Sequence, residues 1–147
     1  MQFQNFLTFE NIYLWTNLGI LPFWIMLIVI PNSKFTGFFV NSVVLPLVLS
    51  SSYIYIIYQS ALIEEPIFDF FKIHLNLDGF YTILSSESFL LLFWLHFISI
   101  NLFLGSWISR DAIKYGIPIA LVSAPLLFVY FMGPVGLVFY WLIRVFY

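Results

Sequence analysis

Cysteine is absent from this chain of 147 residues. That excludes a disulfide framework, a thiolate nucleophile and any sulfur-ligated metal site. Charge is scarce as well. The 5 Lys and Arg and 7 Asp and Glu make up 8% of the sequence, where an ordinary soluble domain carries about a quarter. The net charge of -2 offers no basic patch, so nucleic acid is set aside as a partner. No phosphate-binding glycine loop, dinucleotide fingerprint or paired-carboxylate motif occurs, and no histidine pair has haem-ligand spacing.

What is present is apolar bulk: 63% of the residues are hydrophobic and 22% aromatic. Charge is missing altogether from residues 11–33, 35–63, 88–109 and 115–143, which run 23, 29, 22 and 29 residues. A helix needs roughly 20 residues to cross the hydrocarbon core. Helices of a soluble bundle would need polar outer faces that these stretches lack. The fold class is therefore all-α integral membrane, a single membrane domain over 1–147 with four transmembrane helices expected at 12–30, 38–60, 88–109 and 118–143.

Punctuation supports those bounds. Pro31-Asn32-Ser33-Lys34 reads as a polar turn, and Pro22, Pro46 and Pro125 as bends within spans. Gly133-Pro134-Val135-Gly136 interrupts the last helix, which reads either as one bent helix or as a broken one. No Lys or Arg precedes the first span, so it reads as a retained helix and not as a cleaved signal peptide. Between spans two and three, residues 64–87 hold five of the seven acidic side chains. There, residues 71–78 alternate apolar and polar, a period of two that suits an extended interfacial segment, with Gly79 turning the chain. The short turns carry Lys34, Arg110 and Lys114, which places them on the cytoplasmic or equivalent side.

The third span holds the polar residues of interest. His96 and Asn101 sit in its apolar middle, where an unpaired polar group is costly. Both are expected to face protein, a ligand or a wet cavity, in one shared groove. At 100° per residue, Trp94 and Asn101 share one stripe, while His96 falls on a second with Trp107. His96 can carry a proton and is the catalytic candidate; a structural hydrogen bond to a neighbouring helix is the other reading. Asn101, Trp94 and Asn17 are candidate substrate-binding residues, with Asn17 within reach of Asn101 or His96 across the helices. Arg110 and Asp111, at the span's exit, read as a headgroup clamp or as simple helix-end anchors. His74 belongs to the interfacial segment and is expected to meet water. No ligand at metal-binding spacing accompanies either histidine, so neither metal nor cofactor is expected.

Trp94-x-His96, Asn101-Leu102-Phe103-x-Gly105-x-Trp107 and Asp111 in this span have companions elsewhere. These are Leu21-Pro22-Phe23-Trp24, Pro46-Leu47 and Phe131-x-Gly133-Pro134-x-Gly136-Leu137. In this order and spacing they resemble the domain-of-unknown-function family 4281, whose plant plastid members are tied to neoxanthin formation and abscisic-acid deficiency. The resemblance covers residues 12–144. It implies a four-helix protein of photosynthetic or bacterial inner membranes, with a carotenoid or xanthophyll as ligand. The implied chemistry is an epoxy-xanthophyll isomerisation of the violaxanthin-to-neoxanthin type, with His96 matching the family histidine. Asn101 stands where the family pattern has Asp, and Ser106 where Arg is common. A non-catalytic pigment- or lipid-binding role, or assembly with a membrane-protein partner, is the alternative.

Overall fold

The computed structural model describes residues 7–42, 44–63, 74 and 76–147, with 61–63 described by their backbone. Its elements are α1 (Phe9–Val29), α2 (Lys34–Phe39), α3 (Val44–Ile63), α4 (Leu77–Leu84), α5 (Glu87–Lys114) and α6 (Ile119–Arg144). No strand occurs among the described residues. Four spans are long and apolar enough to cross a membrane: α1, α2 with α3, α5 and α6. Large apolar side chains line their outer surfaces, Trp15, Leu18, Phe103, Phe131 and Trp141 among them. Such an exterior suits hydrocarbon and not water.

Local chemistry sets the ends. Thr8 caps α1 by accepting from the Asn11 amide at 3.2 Å. Ser33 caps α2 by accepting from the Phe35 amide, so the polar turn both closes one helix and opens the next. The second span differs from a single bent helix. It breaks between Phe39 and Val44, and Pro46 lies in the first turn of α3. A proline there loses no helical hydrogen bond, so the bend assigned to Pro46 falls a few residues earlier. Ser51 and Ser52 of α3 donate to the carbonyls of Leu47 and Val48, one turn back.

Half of the segment read as extended, residues 71–73 and 75, lies outside the described residues. Its end is helical: Asn76 caps α4 by accepting from the Gly79 amide at 2.6 Å, and Leu77, Asp78 and Gly79 belong to that helix. The side-chain cap overrides the alternation, and Gly79 makes no turn.

The α5 helix is the centre of the bundle. It packs against α6, α1, α3 and α4, and it is the most buried span. At about 1.5 Å per residue, its 28 residues extend about 42 Å. Small residues on its inner side, Gly105, Ser106, Ser109 and Ala112, admit its neighbours closely. A Cβ at Gly105 would stand 2.7 Å from two ring carbons of Trp24. That indole is 4% exposed and meets Tyr130 edge-on at 5.5 Å, so a shift away from a new methyl disturbs its packing against α6. Gly105→Ala should therefore destabilise the bundle by about 1–3 kcal/mol, as overpacked cores do. The check is a thermal midpoint several degrees below the wild type in the same detergent; an unchanged midpoint would mean that the two helices sit further apart.

Candidate functional site

Three sides of α5 carry polar side chains, and each faces different neighbours. On the seam with α1 and α6, the Trp94 indole N–H donates to Asn17 Oδ1 at 3.1 Å, while Asn17 Nδ2 donates to the Tyr13 carbonyl at 2.7 Å. Trp94 also stacks on Phe97, with ring centroids 5.4 Å apart. Two turns beyond Trp94, Asn101 is 4% exposed, and its Nδ2 donates to the Tyr130 carbonyl at 3.4 Å. That carbonyl is the one a regular helix would pair with residue 134, and Pro134 has no N–H to give. At Met132 and Gly133 the element is not helical and doubles back, bringing Phe139 against Phe128 and Arg144 back to Asp111, so the last helix is a broken one; Asn101 supplies the missing donor. Asn17, Trp94 and Asn101 border a cavity of about 180 Å³ with Trp24 and Tyr130. That is below the 300–1,000 Å³ common for ligand pockets. Asn17 thus hydrogen-bonds to Trp94, where the sequence had left Asn101 and His96 open as its partners.

His96 lies on another side of α5, and among the described residues the cavity that it borders does not include Asn101, so the shared groove expected of the two is not formed there. It lines a cavity of about 310 Å³ between α3, α4 and α5. The walls are apolar, with Phe80, Ile83, Phe89 and Leu92 among them; the polar-tipped members are His96, His74 and Tyr53. Both histidines of the chain thus border one space. His96 is exposed and has no hydrogen-bond partner among the described residues. The helical wheel set His96 apart from Trp94 and Asn101, but Trp107, placed on the His96 stripe, packs on Tyr140 of α6. The wheel could not supply His74 and Tyr53, because residues 22 and 43 positions away obey no periodicity with His96.

At the exit end, α5 continues past Ser109 to Lys114, so Asp111 is a helical residue that faces inward. It accepts from the Tyr140 hydroxyl at 2.7 Å and from Arg144 Nε at 2.6 Å. The Arg144 guanidinium lies 4.2 Å over the Tyr115 ring. Arg110 is exposed on another face and borders a separate cavity with Asn41, Ser99 and Ser106. The clamp expected of Arg110 with Asp111 is therefore split: the cation that meets Asp111 comes from the end of α6. Ser106 donates to Asn41 Oδ1 at 2.6 Å, which ties α5 to the break between α2 and α3. Neither Asn41 nor Arg144 stood out in the sequence; the only signal was a polar residue near a span end. Among the described residues no three His, Asp or Glu side chains come together as a metal site.

Arranged in this way, two of the three regions are occupied by contacts between helices, and one presents proton-carrying side chains to an apolar space. No curated protein and no solved structure matches the chain. The model of the ABA DEFICIENT 4-like family matches it over residues 11–140, nearly its whole length, and the protein belongs to that family.

Proposed function

We propose that this integral membrane protein works in xanthophyll metabolism as an epoxy-xanthophyll isomerase of the violaxanthin-to-neoxanthin type, with His96 as its proton-carrying group. Family membership supports the pathway. The reaction is supported by one observation: His96, His74 and Tyr53 border a single apolar cavity, with His96 exposed.

The chemistry suits such a place. Protonation of the epoxide oxygen opens one C–O bond. Loss of a proton from the adjacent polyene carbon then moves an electron pair to form the allene. One proton is gained and one lost, so the product is an isomer of the substrate and no redox partner is needed. An imidazole can perform either transfer near neutral pH, and a second imidazole or a phenol beside it can perform the other. Walls of Phe80, Ile83, Phe89 and Leu92 would hold the end ring and exclude water from the opened epoxide. Asn17, Trp94 and Asn101 then serve by fixing the angle of α5 against α1 and α6. The membrane would be a plastid membrane such as the thylakoid, or the inner membrane of a bacterium.

Expression in a host that accumulates violaxanthin tests this. Violaxanthin should fall while an allenic product of identical mass appears. Unchanged violaxanthin that co-purifies with the protein would replace the isomerase with a pigment-binding role, and recovery of a dedicated membrane partner without pigment would favour assembly.

A further inference from the structure

At the end of the bundle that carries the two short turns lies a cavity of about 660 Å³, apart from the His96 site. The ends of α1 and α5 and the start of α6 enclose it. Its walls are aliphatic, with Leu27, Ile30, Ile117 and Val122 prominent. No aromatic and no charged side chain lines it, although 22% of the chain is aromatic. The polar side chains in its wall are Asn32, Ser33 and Ser109.

Ser109 is the anomaly. Within these helices, Ser51, Ser52, Ser99 and Ser123 each donate to the carbonyl four residues back, the usual way for a hydroxyl to be tolerated in lipid. Ser109 does not. It is 2% exposed, and its Oγ has no hydrogen-bond partner among the described residues. Leaving a buried hydroxyl unpaired costs about 1–3 kcal/mol. A group bound in the cavity would select the staggered rotamer that gives this hydroxyl a partner.

The surroundings narrow what that group is. Two helix C-termini and two N-termini meet at the cavity, Ser33 being the cap of α2, so the helix dipoles largely cancel, and no charged side chain in the wall compensates a buried headgroup charge of either sign. Lys34, Arg110 and Lys114 all belong to this end of the bundle and disfavour a second cation. A neutral headgroup with hydroxyl donors meets neither objection. Val29, Ile113 and Ile119 at the rim are exposed and apolar, which suits an acyl chain leaving towards the bilayer. From these features we infer that the cavity is a binding site for a membrane lipid whose headgroup is uncharged and hydroxyl-bearing, with Ser109 as its buried hydrogen-bond partner.

The full chain, purified in mild detergent, can be presented with three oleyl probes: monooleoylglycerol, oleoyl lysophosphatidylglycerol and oleyltrimethylammonium. Native mass spectrometry then reads the lipid that each sample retains. Monooleoylglycerol should be held in preference to both charged probes. Ser109→Ala should reduce its retention about five-fold, the worth of one hydrogen bond, without lowering the thermal midpoint, because the hydroxyl it removes has no partner in the empty cavity. Ile113→Trp, which fills the mouth from an exposed position, should reduce retention at least ten-fold. Equal retention of a charged probe would overturn the assignment, and so would wild-type retention by both variants. Loss in Ile113→Trp alone would reveal an apolar slot with no headgroup recognition, which also overturns it.

Discussion

Replacing His96 with alanine should abolish the violaxanthin-dependent change in pigment profile while leaving the protein folded in the membrane. The two halves of that expectation rest on separate observations. His96 is exposed on α5 and has no hydrogen-bond partner among the described residues, so its removal empties part of a cavity wall and breaks no hydrogen bond between helices. General acid–base groups contribute roughly 10²–10⁴ in rate. In a pigment assay of ordinary sensitivity, a loss of that size leaves no visible product. His96→Gln keeps a hydrogen-bonding amide but cannot carry a proton near pH 7, and it should be as inactive as alanine. His74→Ala and Tyr53→Phe border the same cavity and separate the roles. Whichever of them also falls by 10² or more supplies the second proton transfer. Wild-type conversion by His96→Ala in a protein of normal thermal midpoint would remove His96 from the chemistry, whatever the fate of the pathway assignment.

Much of this architecture was legible before any coordinates, and the reasons divide cleanly. The four charge-free runs are one-dimensional facts, because hydrocarbon thickness converts directly into residue count. The separation of His96 from the Trp94 and Asn101 stripe is also one-dimensional, a consequence of 100° per residue. Partners are not. Asn17 meets Trp94 from 77 positions away, Asp111 meets Arg144 from 33 positions away, and Ser106 meets Asn41 from 65 positions away. Each sequence candidate had several chemically equivalent partners, and only the helix packing selects one. The break before α3 was misplaced for a local reason. Proline marks a bend only in a helix interior, and position 46 falls in a first turn. Asn76 similarly shows a single cap overriding a period-two pattern.

Asn101, Gly133 and Pro134 form a unit whose members explain one another, and it yields the largest expected effect on stability. Pro134 removes an N–H and leaves the Tyr130 carbonyl without its helical donor. Asn101 of α5 supplies a donor in its place. Gly133 makes room for that side chain, since a Cβ there would run into Asn101 Oδ1. An amide suits this arrangement better than an ionised carboxylate, which has no proton to donate to a carbonyl; this gives the neutral residue at 101 a structural role. Gly133→Ala should accordingly destabilise the protein by about 2–3 kcal/mol. Asn101→Ala should cost about 1–3 kcal/mol through the unpaired carbonyl. The decisive quantity is the double variant. Once Asn101 is shortened, the new methyl at 133 loses the atoms it would meet first, so Gly133→Ala/Asn101→Ala should cost less than the sum of the single changes, by about 1–2 kcal/mol of coupling. Reversible unfolding in mixed micelles, read by tryptophan fluorescence, measures all four corners of the cycle. Strict additivity would mean that residues 101 and 133 do not touch, and the repair of the broken last helix would then need another donor.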